Sequence, residues 1–276
     1  MIELKNFSFA YKSKHVFDDI NLQFKKGSIY GLLGENGVGK TTLLKSICGL
    51  LRPKAGSCMV DDYVSFDRVP EFLQNIFFLP DDLPLPTNAT PMSFYRNMAV
   101  FYPNNSEEML HQLAEEFHVD LNQRFREMSF GQQKKSLLAC SMAFNTEYLL
   151  LDEPTNGLDI PSKADFRRVL TQRIGDDSTI IISTHQVKDV ENLIDPIIII
   201  SQKSVLLNAS VDRITEKLYF EYGSAQRGDA LYSEMMPGGY FNVLVNDGMG
   251  ESQINIECLF NAVLNNSELI KSLFEK

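Results

Sequence analysis

The chain has 276 residues, enough for one large domain or for one domain with a small appendage. Its hydrophobic content of 44% and charged content of 22% are typical of a globular protein that needs no disulfide or metal to hold its core. A net charge of −10 argues against a general affinity for nucleic acid or anionic lipid. The sequence shows no signal-peptide pattern and no apolar run near the roughly twenty residues that span a bilayer, so we expect neither feature.

The first third of the chain has the pattern of short strands. Apolar residues alternate from Ile2 to Phe9 and again from Ile20 to Phe24. Residues 28–33 (SIYGLL) then form a compact apolar run that suits a buried parallel strand. A glycine-rich turn follows, after which apolar residues recur at helical spacing from Leu43 to Leu51, which predicts a helix there.

The pattern changes between Leu83 and about Asn145, where prolines are followed by helical spacing. We interpret this stretch, about 83–145, as a helical subdomain inserted into a sheet-based core. Strand patterns return at residues 148–153 (YLLLDE) and 179–185 (TIIISTH), with a helix-like stretch from Ser162 to Ile174 between them. This alternation predicts a parallel sheet wrapped by helices, an α/β fold.

Beyond about Ile214 the alternation of strand and helix stops. Glycines separate short segments, among which residues 241–246 (FNVLVN) predict a strand and Ile256–Phe274 an amphipathic helix. We interpret residues 215–276 as a small C-terminal α/β appendage whose role the residues do not reveal, and residues 1–214 as the main domain.

The four cysteines are scattered and have no metal or redox spacing. Their neighbours are mostly apolar, which predicts reduced residues in or near the core, in a reducing compartment. They are Cys48, Cys58, Cys140 and Cys258.

Residues 34–41 (GENGVGKT) match the phosphate-binding loop pattern. Glycines in such a loop let backbone N–H groups turn toward an anion, and the following helix adds the positive end of its dipole. Lys40 is predicted to reach the β- and γ-phosphates, and the Thr41 hydroxyl to bind Mg²⁺. A chance glycine-rich turn is the alternative, which the strand before the loop and the helix after it disfavour. The residues predicted to contact the nucleotide here are Asn36, Gly37, Val38, Gly39, Lys40, Thr41 and Thr42.

Two carboxylates follow the apolar strand at 148–151, at the edge where parallel sheets place ligands. Asp152 is predicted to hold Mg²⁺ through its water shell, and Glu153 to be the general base for the attacking water. The alternative is a solvated acidic pair that caps a strand. The phosphate loop earlier in the chain disfavours this alternative. His185 ends another strand at this edge, where we predict a γ-phosphate contact rather than a structural role.

Taken together, four ordered segments resemble the nucleotide-binding domain of ABC transporters, over roughly residues 1–210. They are GENGVGKTT, MSFGQ, YLLLDEPTNGLD and STH. The resemblance implies a P-loop NTPase with a RecA-like parallel sheet core, an N-terminal antiparallel β subdomain and the inserted helical subdomain. It also implies a subunit that binds and hydrolyses ATP with Mg²⁺ to power transport.

The resemblance implies partners as well. These are a membrane-spanning permease on a separate chain and a second ATPase subunit in a nucleotide-dependent dimer. We therefore expect a cytoplasmic protein, held peripherally on the inner face of the membrane by its partner, with no nucleic acid involved. The segment from Leu83 to Arg96 is our predicted docking surface, because its prolines indicate an exposed loop.

Further site roles come only from the resemblance. Tyr11 matches the aromatic residue that stacks on adenine, with Val16 nearby. The segment 128–132 (MSFGQ) matches the signature that closes over the γ-phosphate of the opposite subunit, through Ser129, Gly131 and Gln132. From the residues alone, Ser129 would only cap a helix. The segment from Asn156 to Asp159 matches the one that joins the two sites across the dimer.

The chain departs from the family pattern at two positions. Phe130 replaces the first of two adjacent signature glycines, while the Ser129 hydroxyl and the Gly131 N–H are kept. Asp81 stands where the family has a glutamine that touches Mg²⁺ and the attacking water. Acidic residues at this position are familiar among exporter-like members, so the resemblance implies an exporter-like subunit in which Asp81 reaches the metal.

Three other functions are disfavoured by the sequence. A soluble ABC ATPase acting on DNA or ribosomes would carry a long coiled-coil insertion or two such domains in one chain, and neither feature is present. A small-molecule kinase is disfavoured by the signature and by residues 152–159 (DEPTNGLD). A catalytically dead regulatory subunit is disfavoured because Lys40, Asp152, Glu153 and His185 are all intact.

Overall fold

Three β-sheets with helices packed around them make up the fold, in a computed structural model that describes residues 1–82, 84–173, 175, 177–201 and 203–274. The strands in chain order are β1 (Ile2–Tyr11), β2 (Lys14–Phe24), β3 (Ser28–Leu33), β4 (Ala55–Val60), β5 (Tyr63–Val64), β6 (Ile76–Leu79), β7 (Tyr148–Asp152), β8 (Thr179–Thr184), β9 (Ile197–Ser201), β10 (Ser204–Ala209), β11 (Leu218–Gly223), β12 (Tyr232–Met236) and β13 (Gly239–Val245). The helices are α1 (Lys40–Ile47), α2 (Pro70–Leu73), α3 (Pro91–Ala99), α4 (Glu107–Glu116), α5 (Phe130–Ala143), α6 (Ile160–Arg173), α7 (Val211–Lys217), α8 (Ile256–Asn265) and α9 (Ser267–Phe274).

The central sheet has the strand order β10-β9-β3-β8-β7-β6. Its neighbours from β9 to β6 pair in parallel, and β10 adds an antiparallel edge. Strands β3, β7 and β8 are almost fully buried, as continuous apolar runs with helices on both faces should be. This sheet confirms the predicted parallel α/β core.

The N-terminal strands form a separate antiparallel sheet of order β2-β1-β4-β5. Alternating apolar side chains of β1 and β2 point to one face, where Ile2, Leu4 and Phe24 are at most 1% exposed. They belong to a core cluster that also contains α1 and one face of the central sheet, including Leu43 and Leu150. The antiparallel subdomain is therefore packed directly beside the glycine-rich turn.

Helices α3, α4 and α5 make up the predicted helical insertion. Apolar side chains on the inner faces of α4 and α5, such as Leu110, Leu113 and Leu138, are fully buried. The interpretation of residues 83–96 as an exposed loop is partly wrong, because α3 begins inside this segment at Pro91. Thr90 and Ser93 form a reciprocal cap at the N-terminus of α3, and Pro91 occupies its first turn. The predicted start of both segments, Leu83, lies outside the described residues.

The appendage is an α/β unit, as predicted, and has the sheet order β11-β13-β12 with α8 packed against it. The single amphipathic helix predicted over 256–274 is wrong, because two helices meet at Asn266. The backbone of Asn266 leaves helical geometry, and its side-chain amide donates to the Leu231 carbonyl at 2.6 Å. Apolar residues of the appendage and of the central sheet, such as Leu259 and Ile199, lie in one continuous core cluster.

Two smaller differences concern helix ends. The helix predicted to reach Leu51 ends at Ile47, because Gly49 follows with a φ of 69°. Leu50 is consequently 49% exposed. Helix α6 begins at Ile160, and the predicted end at Ile174 lies outside the described residues.

The four cysteines are free and buried, as predicted. Among the residues that the structure describes, none of the helices combines the length and apolar character that crossing a bilayer requires.

Candidate active site

The site lies where three neighbouring strands of the central sheet end. In the strand register, Leu33 of β3 is opposite Thr184 of β8, and Asp152 of β7 is opposite Ser183. The glycine-rich turn, the carboxylate pair and His185 therefore leave the sheet at the same level. Parallel sheets bind their ligands at this carboxyl edge, which is where the sequence predicted these groups to meet.

The glycine-rich loop runs directly into α1. Gly39 at the helix N-terminus has a φ of 120°, a conformation that side chains with a Cβ rarely adopt. A Cβ at Gly39 would also lie 2.6 Å from Cγ1 of Val16, so the antiparallel sheet crowds the loop. The N-terminus of α1 directs its free N–H groups out of the sheet edge, as an anion site requires.

Lys40 is a buried cation at the start of α1, with 7% of its surface exposed. Its Nζ donates to the carbonyl oxygens of Gly34 at 2.7 Å and Glu35 at 3.3 Å. It also lies 3.7 Å from Oε1 of Glu153. Burial lowers the pKa of Lys40 below its usual value, and the nearby carboxylates of Glu153 and Asp152 oppose that shift.

Thr41 and Asp152 form the second contact between loop and sheet. The Thr41 hydroxyl donates to Oδ2 of Asp152 at 2.7 Å. The hydroxyl of Ser183 donates to Oδ1, so both carboxylate oxygens are held. Sequence analysis missed Ser183, although its place in the register beside Asp152 follows from the parallel pairing of β7 and β8.

Glu153 and His185 form a third pair. Oε1 of Glu153 lies 2.8 Å from Nδ1 of His185, and Oε2 accepts the backbone N–H of His185 at 3.3 Å. The backbone of Glu153 is left-handed, with a φ of 47°, while its N–H donates to the carbonyl of Ser183 at 2.9 Å. Residues held in such strained conformations cluster at functional sites. The left-handed backbone at Glu153, which sets the direction of its carboxylate, therefore supports a functional role for this residue.

Tyr11 stands at the rim of the site. Its ring is 46% exposed, and its hydroxyl lies 3.4 Å from Oγ1 of Thr42. Phe9 supports the ring edge-to-face, with the centroids 4.9 Å apart. The exposed ring of Tyr11 therefore lies beside the glycine-rich loop. The family resemblance implies that adenine binds there.

The segment 128–132 forms the N-terminus of α5. Ser129 accepts the N–H of Gln132 at 3.3 Å, and the Gln132 side chain accepts the N–H of Ser129 at 2.8 Å, which makes a capping box. Ser129 is exposed, and Phe130 is 58% exposed. The Phe130 ring packs on Gly157, where a Cβ would lie 2.3 Å from its Cε1. The extra ring is therefore accommodated by a glycine four residues from Glu153.

Asp81 follows β6, and its carboxylate has protein partners. Lys134 of α5 donates to Oδ1 at 3.1 Å, and the amide of Asn156 donates to both oxygens at 3.3 and 3.2 Å. Within the described residues, no cluster of three or more His, Cys, Asp and Glu side chains is arranged to hold a metal. Sequence analysis missed Lys134, and no signal in the sequence pairs it with Asp81.

Asp159 caps the N-terminus of α6. Its Oδ1 accepts the N–H of Ser162 at 2.9 Å, and these hydrogen bonds lower its pKa. The side chain is exposed, as is the neighbouring Ile160 at 83%.

Comparison with protein families matches the ABC transporter model to residues 17–156, half of the chain. The chain belongs to this family. The ATP-binding protein YtrB of Bacillus subtilis is 29% identical over 218 residues, which are 79% of this chain and 74% of that protein. NatA, another ABC transporter ATP-binding protein of B. subtilis, is 31% identical over 204 residues, which are 72% of this chain and 83% of that protein.

A solved ATP-binding subunit of an ABC transporter has the same fold. It superposes with a TM-score of 0.71 and 24% identity, and the match covers 78% of this chain and 91% of that one. As an ABC transporter subunit, the chain binds and hydrolyses ATP and works with a separate membrane-spanning protein. The resemblance, the fold class and the function expected from sequence are confirmed, whereas the roles of single residues stay predictions.

Proposed function

We propose that this ABC transporter subunit hydrolyses ATP with Lys40, Thr41, Asp152 and Glu153 as its principal site residues. The observation that carries this proposal is one connected set of contacts. Lys40 faces Glu153, Glu153 meets His185, and Thr41 is bonded to Asp152. Phosphates placed at the N-terminus of α1 would be held by its N–H groups and by Lys40.

Mg²⁺ fits the donors at Thr41 and Asp152. Both are hard oxygen ligands within hydrogen-bond distance of each other, and Mg²⁺ commonly uses one or two protein oxygens together with substrate phosphates. Bound there, the ion would neutralise charge on the β- and γ-phosphates. Ser183 fixes the Asp152 carboxylate for that purpose.

Glu153 would activate the attacking water. Its carboxylate would take a proton from the water that attacks the γ-phosphorus, as the bond to the ADP oxygen breaks and inorganic phosphate leaves. His185 contacts both carboxylate oxygens and would contact the γ-phosphate as well. Tyr11, with Val16 behind the loop, would receive the adenine on its exposed face.

A second ATPase subunit would complete the site. Ser129, Phe130 and Ile160 are exposed on adjoining segments, with Phe130 seated on Gly157. Large exposed apolar side chains next to a capped helix N-terminus suit an interface that closes over another subunit's phosphates. Ser129, Gly131 and Gln132 would then face the partner's γ-phosphate, and Asn156 to Asp159 would line the contact.

The membrane-spanning partner would dock beside α3. Val100 and Phe101, which are 78% and 66% exposed, border a groove of about 570 Å³ that Leu73 and Phe78 also line. Such an apolar groove suits an amphipathic helix. Bound to such a partner, the subunit would lie in the cytoplasm at the inner face of the membrane. Phe101→Ser should reduce co-purification of the partner, whereas Met235→Ser, an exposed change on β12, should not.

The decisive experiment measures phosphate release and nucleotide affinity in parallel. Glu153→Gln keeps the shape of the side chain but not its basicity, so turnover should fall by about a hundredfold or more while ATP binding persists. Glu147→Gln makes the same chemical change just before β7, at the opposite end of that strand, and should hydrolyse normally. Turnover of the Glu153→Gln protein near the wild-type rate would refute the proposed base.

A further inference from the structure

Asp81, Lys134 and Asn156 form a charged cluster that the proposed reaction does not use. Lys134 is 3% exposed, and its Nζ donates to both the backbone carbonyl and the carboxylate of Asp81, at 3.2 and 3.1 Å. Asn156 donates its amide to the same carboxylate at 3.3 and 3.2 Å. A buried ammonium is tolerated when it is paired and hydrogen-bonded, so Asp81 is what allows Lys134 to be buried here.

The cluster joins three segments that each carry part of the site. Asp81 lies two residues beyond β6, the strand next to the one that ends in Asp152. Lys134 lies five residues after Ser129, near the N-terminus of α5. Asn156 lies three residues after Glu153, and its backbone N–H donates to the Glu153 carbonyl at 3.1 Å. One carboxylate therefore connects the signature helix with the segment that carries the proposed base.

A second contact reinforces the same connection. Phe130 in the first turn of α5 packs on Gly157, which directly follows Asn156. The ion pair lies near the buried side of the helix and the ring contact on its exposed side, with Lys134 at 3% and Phe130 at 58% exposure. A helix held at two points against one short segment cannot shift without moving that segment.

We infer that Asp81 is a positioning residue: through Lys134 and Asn156 it fixes the signature end of α5 relative to Glu153. The inference rests on the proposed function in which Glu153 is the base. It gives Asp81 a different role from the Mg²⁺ contact implied by family resemblance. With Lys134 and Asn156 on its carboxylate, Asp81 acts on hydrolysis through the placement of Glu153 and of Ser129.

The test compares Asp81→Asn, Lys134→Met and the double variant with wild type. Steady-state hydrolysis gives kcat, the KM for ATP and the Mg²⁺ concentration for half-maximal rate, and thermal unfolding monitors the fold. Each single change should lower kcat about fivefold or more while KM and the Mg²⁺ requirement stay within about twofold. The double variant should be no slower than the slower single one, because both changes break one connection. Asp82→Asn, the same change at the adjacent exposed carboxylate, should behave as wild type.

Several results would overturn the inference. If Asp81→Asn raised the Mg²⁺ requirement about tenfold and Lys134→Met did not, Asp81 would be a metal contact. Multiplicative losses of kcat in the double variant, or normal kcat in both single variants, would exclude a shared positioning role. If a single variant fails to fold because one charge is left buried and unpaired, the double variant, which leaves neither charge, still gives the comparison with wild type.

The Glu153→Gln variant separates this inference from the proposed function. If Glu153→Gln is inactive while Asp81→Asn and Lys134→Met are normal, only the positioning role fails. If Glu153→Gln retains full turnover, the base assignment fails, whatever Asp81 does.

Discussion

Nδ1 of His185 lies 2.8 Å from Oε1 of Glu153, while the backbone N–H of His185 donates to the other carboxylate oxygen at 3.3 Å. His185 thus contacts both carboxylate oxygens of the proposed base. His185→Ala should lower kcat by about tenfold or more, because the carboxylate keeps the backbone N–H contact but loses the imidazole that orients Oε1. The loss should be much smaller in a Glu153→Gln background, since residues that act as a unit are not additive. His111→Ala, an exposed change on α4, is the control, and equal losses in both backgrounds would contradict the coupling.

Lys40 should determine nucleotide affinity. Lys40→Met keeps the length of the side chain but removes its charge, so ATP affinity should fall by about tenfold or more. Titration with a fluorescent ATP analogue measures this directly. Lys45→Met, five residues later at the end of the same helix, should bind normally. Similar affinities for Lys40→Met and wild type would mean that the phosphates lie elsewhere.

The lowered pKa of Lys40 predicts a dependence on pH. Its ammonium binds phosphate only when protonated, so affinity should decline with rising pH before an ordinary lysine would titrate. In the nucleotide-free chain, rising pH has the opposite effect on the free energy of unfolding. The unfolded state holds this proton up to about 10.5 and the folded state loses it earlier, so the free energy of unfolding should rise with pH through that interval. Both effects should be absent in Lys40→Met, and a pH profile unchanged by the substitution would assign them to another group.

Gly157 should not tolerate a side chain. Its φ is 78°, and a Cβ would lie 2.3 Å from Cε1 of Phe130. Gly157→Ala should therefore lower the melting temperature and the rate of hydrolysis. In a Phe130→Gly background the steric part should disappear and only the backbone cost, about 1 kcal/mol, should remain. Gly228→Ala, where a Cβ meets nothing within 4 Å, is the control. A Gly157→Ala protein as stable as wild type would show that the ring moves away freely.

The four cysteines should resist alkylation in the folded chain. Burial raises the pKa of Cys58 to about 11 and that of Cys140 and Cys258 to about 12, and it raises the pKa of Cys48 further. The reactive thiolate is then scarce as well as inaccessible. Iodoacetamide at pH 8 should modify native protein slowly and all four thiols after denaturation in urea. Rapid modification of one thiol would indicate local opening around it.

Much of the fold could be predicted because its signals are local. Strands β3, β7 and β8 are continuous apolar runs, and each ends in a polar group that the parallel register brings to one edge. Helix ends were harder to predict. Asn266 interrupts the last helical segment through its bond to Leu231, 35 residues away in sequence. A periodicity of apolar residues cannot reveal such a contact.

In the site, too, residues with local sequence signals could be predicted, and contacts between distant segments could not. Lys40, Thr41, Asp152, Glu153 and His185 are brought together as the sequence indicated, because each follows or ends a strand of known direction. The pairing of Asp81 with Lys134 joins residues 53 positions apart, on a loop and a helix, and depends on how α5 packs. The left-handed backbone of Glu153 was equally hidden, since glutamate has no preference for it.

Helix α7 runs from Val211 to Lys217 and so passes through the predicted boundary between residues 214 and 215. Ile214 and Leu218 are fully buried, in a core cluster shared by both sides of that boundary. The appendage should therefore melt with the rest of the chain, and calorimetry should record a single heat-absorption peak whose calorimetric and van't Hoff enthalpies agree. The appendage should not unfold at a lower temperature than the main domain. A protease added below the transition should therefore not cleave the appendage selectively.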